Sequence, residues 1–304
     1  MRALTGLIFV FSFQIINAQK VLIPELNSFQ GKFIHYPLTE PGADISTTRL
    51  LFDKKGFLWT GTFDGLYRYD GNKYKSYTFR NFVNTSLAGH LVTSLHEDDQ
   101  GIMWIGTYGA LNRLERKNGN IQHFYPDSTD YLSLNNRIRS IHQARTGKLW
   151  LLTCEDVFSF DRNSFRFTRY KLDGSRTAWP EKQFQLFEDS KGRIWITSDN
   201  GLFRYFTDSG RFVRFGHDPE NRTSISCNKV TCITEDPSGT LWCGTDGGGL
   251  NRISDPEKGI FHRIEFTNDK KDASGLCSIL TLLSDNSGKI WLFGNGIFAG
   301  FCPG

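Results

Sequence analysis

Apolar and polar residues alternate along this chain in short runs that turn-forming residues separate. A clear stretch at residues 91–126 contains four such runs, LVTSLHE, IMWIGT, ALNRLE and IQHFYP. Alternation with a period of two, rich in β-branched and aromatic residues, predicts β-strands. No stretch of ten or more residues carries the longer period of an amphipathic helix, so the pattern predicts an all-β fold.

The four-strand pattern recurs six times, with one Trp at the same place in every copy. The copies are centred on Trp59, Trp104, Trp150, Trp195, Trp242 and Trp291. A Gly lies three residues before each Trp, and an Asp lies six residues before it in five copies, with Ala144 in the third. Four short strands per unit of about 40–50 residues are typical of a β-propeller blade.

We therefore predict a β-propeller of six four-stranded blades over residues 19–304. The six Trp side chains are expected to be structural, in the layers between neighbouring blades. The last copy supplies three strands, and the segment FIHYPL at 33–38 resembles the fourth strand of a blade. We expect this amino-terminal strand to complete the last blade, which would leave no exposed sheet edge. An incomplete part of a seven-bladed propeller is the alternative.

Residues 1–18 have the features of a secretory signal peptide. Arg2 provides a positive start, an apolar stretch follows from Leu4 to Ile16, and the small Ala18 precedes the expected cleavage point. The apolar stretch is shorter than the roughly 20 residues that a spanning helix needs. We expect an exported, periplasmic protein; an uncleaved signal anchor that tethers the chain to the membrane is the alternative.

Charge and composition narrow the classes of partner. The net charge of +4 is too small to indicate nucleic acid, and we expect no such partner. The six Cys and seven His form no pattern with metal-ligand spacing, so we expect neither a metal nor another cofactor.

Two cysteines lie in a segment that reads as a hairpin, TCITEDPSGTLWCGT at 231–245. A turn at Asp236–Gly239 would place Cys232 opposite Cys243, and an exported protein can oxidise such a pair. A disulfide between them is therefore one expectation, and two free buried thiols are the other.

Four copies match D-x-x-G-x-[LI]-W-[IT]-G-T-x-x-G-L-x-R well, and the third and sixth depart from it. The best copies are DKKGFLWTGTFDGLYRYD, DDQGIMWIGTYGALNRLE, DSKGRIWITSDNGLFRYF and DPSGTLWCGTDGGGLNRI. This pattern resembles the two-component regulator propeller repeat, over about residues 33–298. The resemblance implies an extracytoplasmic sensor region of bacterial hybrid two-component histidine kinases, in which many relatives sense oligosaccharides.

The resemblance also implies the partners. Because the sequence contains no kinase motif, we expect this chain to be non-catalytic and to act with a histidine kinase or a second propeller. A homodimer is a further open possibility. A truncated sensor fragment is another interpretation of the same residues.

The loops between the second and third strands carry the candidate ligand-binding residues. These are Phe63, Asp64, Tyr108, Glu155, Asp199 and Asp246. Aromatic rings pack on the C–H groups of sugars, and carboxylates accept hydrogen bonds from sugar hydroxyls. Solvated turn residues are the plainer interpretation. A propeller enzyme, a glycosidase or a lyase, is the alternative function. A glycosidase would need two carboxylates flanking one bond, and a lyase would need a His–Glu pair, whereas these loops contain no His.

Overall fold

The computed structural model describes residues 46–80, 83, 85–172, 185–264, 277–294 and 297–303. The chain divides into two compact units, residues 1–108 with 112–123 and residues 109–111 with 124–304. The predicted signal peptide at 1–18 and the predicted strand at 33–38 lie outside the described residues, so closure of the last sheet stays a prediction. Within the described part, no helix is both long and apolar enough to cross a membrane.

The first unit contains two four-stranded sheets, each an antiparallel meander in chain order. Sheet 1 consists of β1 (Thr47–Phe52), β2 (Leu58–Thr62), β3 (Gly65–Tyr69) and β4 (Tyr74–Tyr77). Sheet 2 consists of β5 (Val92–Glu97), β6 (Met103–Thr107), β7 (Leu111–Leu114) and β8 (Ile121–Phe124). The strands of sheet 2 coincide with the four runs in which the sequence predicted them.

The second unit contains four more sheets of the same kind. Sheet 3 consists of β9 (Ile138–Gln143), β10 (Leu149–Thr153), β11 (Val157–Asp161) and β12 (Arg166–Tyr170). Sheet 4 consists of β13 (Leu186–Glu188), β14 (Ile194–Ser198), β15 (Gly201–Phe206) and β16 (Arg211–Phe215). Sheet 5 consists of β17 (Val230–Glu235), β18 (Leu241–Thr245), β19 (Gly249–Asp255) and β20 (Ile260–Arg263). Sheet 6 has three strands among the described residues, β21 (Ile279–Ser284), β22 (Ile290–Gly294) and β23 (Ile297–Phe301), and a 3-10 turn at Leu134–Asn136 precedes sheet 3.

The Asp-x-x-Gly segment closes the first hairpin of its sheet, as the sequence predicts. In sheet 5, Asp236 Oδ1 accepts the backbone N–H groups of Ser238 and Thr240 at 2.9 and 3.1 Å. Gly239 takes a φ of +83°, which side chains disfavour. The carboxylate and the glycine therefore fix the turn together.

The second oxygen of the same carboxylate anchors the Trp of the repeat. Asp236 Oδ2 accepts the indole N–H of Trp242 at 2.8 Å. The same bond, at 2.8 to 2.9 Å, joins Asp53 to Trp59, Asp98 to Trp104, Asp189 to Trp195 and Asp285 to Trp291. The constant spacing of six residues thus has a direct physical cause.

Sheet 3 keeps the turn without the carboxylate. Ala144 donates its N–H to Lys148 O at 2.9 Å, and Gly147 N donates to Ala144 O at 2.8 Å. Trp150 is 4 % exposed and packs against the rings of Tyr170 and Tyr205, with centroid distances of 5.2 and 4.9 Å. Aromatic packing holds this Trp where the other sheets use Asp.

Neighbouring sheets within each unit pack face to face over apolar clusters. In the first unit, Trp59 and Leu66 of sheet 1 cluster with Val92 and Ile105 of sheet 2. In the second unit the clusters centre on Trp150 between sheets 3 and 4, Trp195 between sheets 4 and 5, and Trp242 between sheets 5 and 6. Trp291 of sheet 6 is half-buried.

The Gly that follows Trp by two residues lets adjacent sheets approach closely. A Cβ on Gly61 would lie 2.6 Å from Val92 Cγ1, and a Cβ on Gly244 would lie 2.6 Å from Ile279 Cγ2. Both distances are too short for any side chain. Packing between sheets therefore explains why W-x-G-T recurs in the sequence.

A Glu at the end of the first strand joins several sheets to the preceding turn. Glu235 accepts both the backbone N–H and the hydroxyl of Ser190, at 2.6 and 2.5 Å. In the first unit, Glu97 Oε2 accepts the N–H of Lys54 at 2.6 Å. The repeated bond ties one hairpin turn to the neighbouring sheet.

The predicted pairing of Cys232 with Cys243 is wrong by one residue. Cys232 pairs with Gly244 and Ile233 pairs with Cys243, because the turn places Glu235 opposite Leu241. The two thiols consequently face different clusters, one shared with sheet 6 and one shared with sheet 4. Both are free and buried, and burial raises the pKa of Cys232 to about 11.

Candidate ligand-binding loops

The turn between the second and third strands is built by the G-T-x-x-G-L part of the repeat. In sheet 1, Thr62 Oγ1 accepts the N–H of Asp64 at 3.1 Å and donates to Gly65 O at 2.9 Å. Gly65 has a φ of +134°, and a Cβ there would lie 2.6 Å from Tyr77 O. The threonine and the glycine are thus fixed by the backbone, which leaves the two intervening side chains free to vary.

The variable positions of sheet 1 face solvent. Phe63 is 61 % exposed, which is unusual for an aromatic ring in a rigid turn. Asp64 Oδ1 lies 3.3 Å from His90 Nδ1, and the two side chains are 69 % and 60 % exposed. The His90 ring also makes an edge contact with Phe79, with 4.7 Å between the centroids. This turn therefore presents a ring and an oriented carboxylate–imidazole pair.

His90 is a candidate functional residue that sequence analysis missed. The prediction that the loops between the second and third strands contain no His holds, but His90 comes from the connection between β4 and β5. The pairing with Asp64 spans 26 residues of sequence. In the equivalent turn of sheet 2, Tyr108 is 38 % exposed.

Glu155 occupies the corresponding turn of sheet 3 and accepts a hydrogen bond from a buried side-chain amide. Asn135 Nδ2 donates to Glu155 Oε2 at 2.9 Å, and Asn135 itself is 2 % exposed. Thr153 Oγ1 donates to Asn135 Oδ1 at 3.2 Å. In sheet 4, Asp199 is half-buried in a turn that Ser198 closes by donating to Gly201 O at 2.7 Å.

Hydrogen bonds and an ion pair hold Asp246 in the turn of sheet 5. Its Oδ1 accepts the hydroxyl of Ser278 at 2.7 Å, and its Oδ2 lies 3.7 Å from Lys229 Nζ. Its backbone N–H donates to Lys229 O at 2.8 Å, and Cys227 Sγ donates to its carbonyl at 3.4 Å. This carboxylate is held in place yet only half-buried.

The described contacts pair three of the predicted carboxylates with neutral or cationic groups. Asp64 has His90, Glu155 has Asn135, and Asp246 has Ser278 and Lys229. Such carboxylates stay available as acceptors for a polar ligand. No cluster of three or more His, Cys, Asp and Glu that suits a metal ion occurs within the described ranges.

Comparison with known proteins identifies the repeat. The model of the two component regulator propeller family matches residues 86–109 and 224–247. Each matched segment runs from the connection before a first strand to the turn that contains Tyr108 or Asp246. No curated protein matches the chain significantly.

Solved structures identify the fold. The extracellular domain of a hybrid two component system from B. thetaiotaomicron is 20 % identical with a TM-score of 0.56, and the match covers 81 % of this chain and 38 % of that one. The extracellular domain of a one component system from the same organism is 21 % identical with a TM-score of 0.57, over 84 % of this chain and 34 % of that one. A streptogramin B lyase is 14 % identical with a TM-score of 0.55, over 83 % and 77 %.

The chain spans between about a third and two fifths of the length of the two extracellular domains that it matches. At these identities the similarity shows the fold and leaves activity to other arguments. The all-β propeller class predicted from the sequence is confirmed, with five four-stranded sheets and one three-stranded sheet in the described residues. The chain is an all-β propeller that carries repeats of the two component regulator propeller family.

Proposed function

We propose that this chain is the extracytoplasmic ligand-binding propeller of a bacterial two-component signalling system, that it recognises a carbohydrate, and that it is itself non-catalytic. The observation that carries the proposal is the placement of exposed aromatic rings and of exposed or half-buried carboxylates at equivalent turns of the family repeat. Phe63, Asp64 and Tyr108 hold these positions in the first unit, and Glu155, Asp199 and Asp246 hold them in the second.

The chemistry of these turns suits sugars. Phe63 exposes most of its ring for packing against the C–H face of a pyranose. The carboxylates of Asp64 and Asp246 accept hydroxyl hydrogen bonds, which are stronger for an ionised acceptor. Because the turns are fixed by backbone hydrogen bonds and glycine, a ligand orders few groups when it binds, and this favours affinity.

The proposed partners follow from the family. Binding would be passed to a histidine kinase or through a second propeller, because the sequence contains no kinase motif. The proposal places the protein in the periplasm after signal-peptide cleavage, with tethering through an uncleaved anchor as the alternative. A homodimer is compatible with the same role.

The experiment is a glycan-array screen followed by calorimetry on the best glycan. Tyr108→Ala and Asp246→Ala should each weaken binding by about tenfold, since each removes about one ring contact or charged hydrogen bond. Tyr131→Ala is the matched control, because Tyr131 is 64 % exposed but lies outside these turns. Circular dichroism checks that every variant stays folded. Unchanged affinity in both site variants would remove these turns from the ligand site.

A propeller enzyme is the second candidate, and the Asp64–His90 pair is the observation that favours it. A carboxylate that orients an imidazole is a common general-base arrangement, and this pair is open to solvent. The fold similarity to the streptogramin B lyase adds support. The mature chain would be incubated with glycans and with cyclic peptides, and products followed by mass spectrometry. Turnover that His90→Gln abolishes would establish an enzyme and overturn the non-catalytic role.

A further inference from the structure

The first turn of sheet 3 has the backbone of the Asp turns but not their carboxylate. Ala144 N donates to Lys148 O at 2.9 Å, and Gly147 N donates to Ala144 O at 2.8 Å. The two matching bonds of the Asp53 turn in sheet 1 are 3.0 and 2.9 Å long. Gly147 takes a φ of +83° and Gly56 takes +86°. The N–H groups of the two turns therefore point in the same directions.

In sheet 1 a single carboxylate accepts three donors of the turn. Asp53 Oδ1 accepts the backbone N–H groups of Lys55 and Phe57, both at 2.9 Å. Asp53 Oδ2 accepts the indole N–H of Trp59 at 2.8 Å. The donors thus lie two, four and six residues after the Asp, and the two oxygens share them.

Sheet 3 contains the same three donors after Ala144. They are Thr146 N, Lys148 N and Trp150 Nε1, and none of them has an acceptor among the described residues. Trp150 is 4 % exposed, so its indole N–H is a buried donor. Buried donors in folded proteins are almost always hydrogen-bonded, to protein, to water or to a ligand. The turn therefore offers three donors to a group from solution.

The Trp150 ring has the orientation of the other Trp rings of the repeat. It packs on Tyr170 with 5.2 Å between the centroids, as Trp59 packs on Tyr77 with 5.8 Å. The two tyrosines hold the same position in the last strands of their sheets, Tyr77 in β4 and Tyr170 in β12. Trp150 also shares an apolar cluster with Ala144. Its Nε1 consequently points toward the turn.

A cation accompanies the donors. Lys148 is exposed and holds the position of Arg193 in sheet 4, whose Nε donates to Asp189 Oδ2 at 2.5 Å. Ala144 and Trp150 are each 4 % exposed, so the turn borders solvent. Backbone N–H groups that converge in a turn, with a cation beside them, form a site for an anion.

The carboxylate of Glu188 on the neighbouring sheet does not exclude a second anion here. Glu188 accepts the N–H of Arg145 with both oxygens at 3.2 Å. In the next pair of sheets, Glu235 accepts the N–H of Ser190 at 2.6 Å directly beside the carboxylate of Asp189. The repeat therefore accommodates one carboxylate from the neighbouring sheet and another within the turn.

We propose that the first turn of sheet 3 is a binding site for a small carboxylate of the size of formate. Its two oxygens accept the backbone N–H groups of Thr146 and Lys148 and the indole N–H of Trp150. Because Asp differs from Ala by one carboxyl group, the ligand is limited to about that size. A meander places successive turns at opposite ends, so this site lies apart from the Glu155 turn and is independent of the carbohydrate role.

The experiment is an NMR titration of the ¹⁵N-labelled protein with sodium formate, in which the indole N–H signal of Trp150 is followed after triple-resonance assignment. That signal should move downfield and saturate, because the indole gains a charged acceptor. The signals of Trp195 and Trp242 are internal controls and should not move, since Asp189 and Asp236 already accept their N–H groups. Sodium chloride at equal concentration controls for ionic strength and should leave the Trp150 signal in place.

Ala144→Asp is the matched variant, because it places the carboxylate of the other repeats in the turn. Its Trp150 signal should not respond to formate, and its melting temperature without formate should exceed that of the wild type. Formate should raise the melting temperature of the wild type and not that of the variant, since only the folded wild type binds the ion.

Three results would overturn the proposal. They are a Trp150 signal in the wild type that does not saturate with formate, an equal response in Ala144→Asp, and an equal response to chloride. The wild-type titration tests the site even if Ala144→Asp fails to fold, because the Trp195 and Trp242 signals report any general effect of the salt.

Discussion

Trp104 and Asp98 are joined by a hydrogen bond that is wholly removed from solvent. The indole Nε1 lies 2.9 Å from Asp98 Oδ2, and the two residues are 1 % and 0 % exposed. The other oxygen, Oδ1, accepts the N–H groups of Gln100 and Ile102 at 3.0 and 2.8 Å. One carboxylate therefore fixes both a hairpin turn and the ring at the centre of the repeat.

Asp98→Asn should lower the free energy of unfolding by about 2–4 kcal/mol, since buried donors without acceptors are costly. If the Asn carbonyl keeps the two backbone bonds, its NH₂ group faces the indole N–H, and one buried donor loses its acceptor. Urea denaturation followed by tryptophan fluorescence measures the effect.

Asp208→Asn is the control for that substitution, because Asp208 is exposed in the turn between β15 and β16. It should change stability by less than about 0.5 kcal/mol. Equal stability of the two variants would show that the Asp–Trp bond contributes little to the fold.

Acid should unfold the protein through these same aspartates. The hydrogen bond from Ser287, followed by that from Trp291, lowers the pKa of Asp285 to about 2. Burial works to raise the pKa of Asp236, but hydrogen bonds from Ser238 and Trp242 outweigh it and lower the pKa. A carboxylate whose folded pKa is lowered stabilises the fold above its unfolded pKa of about 4, and that stabilisation is lost as pH falls toward the folded value.

The melting temperature should therefore be nearly constant from pH 7 to 5 and fall steeply between about pH 4 and 2. Asp285→Asn should have a lower melting temperature than the wild type at pH 7. Its melting temperature should also fall less on acidification, because one titrating group is gone. Circular dichroism melts at a series of pH values test both points. Parallel curves for the two proteins would exclude Asp285 as a source of the acid sensitivity.

The bond between Glu235 and Ser190 should contribute measurably to the packing of sheets 4 and 5. Glu235→Gln is expected to cost about 1–2 kcal/mol, because a charged acceptor shared by an N–H and a hydroxyl becomes neutral. A double-mutant cycle with Ser190→Ala isolates the hydroxyl part of the interaction. Glu220→Gln is the control and should leave the free energy of unfolding unchanged, because Glu220 is exposed in a loop. A coupling free energy of zero in the cycle would mean that the hydroxyl contact is not energetically significant.

The thiols should react according to their burial. Native alkylation at pH 8 should modify the exposed Cys277 and Cys302, and leave Cys232 and Cys243 unmodified until the protein is denatured. Burial holds the pKa of both protected thiols above the ordinary value. Peptide mapping under non-reducing conditions measures alkylation at all four cysteines. A peptide linking Cys232 to Cys243 would contradict the register described above.

Strand positions were predictable because the pleat of a β-strand alternates side chains between two faces, and six copies repeat the same alternation. Register was less predictable. The sequence does not show that Glu235 faces Leu241, and this register alone separates the thiols. The six-residue spacing of Asp and Trp is visible in the sequence, but the hydrogen bond that causes it is visible only in the structure.

The candidate loops were predictable to the same extent as the repeat. G-T-x-x-G-L fixes a turn, so the exposed positions of Phe63 and Asp64 follow from alignment of the copies. His90 did not follow, because a contact across 26 residues is set by how β4 connects to β5 and leaves no periodic signal.

Hydrogen–deuterium exchange of the mature chain, with and without the glycan that binds best, tests the central claim most directly. The account predicts ligand-dependent protection at the turns between second and third strands, at residues 62–65, 107–111 and 245–249, with little change at the Asp turns at residues 53–56, 98–101 and 236–239. Protection confined to the Asp turns, or no protection under saturating ligand, would contradict it.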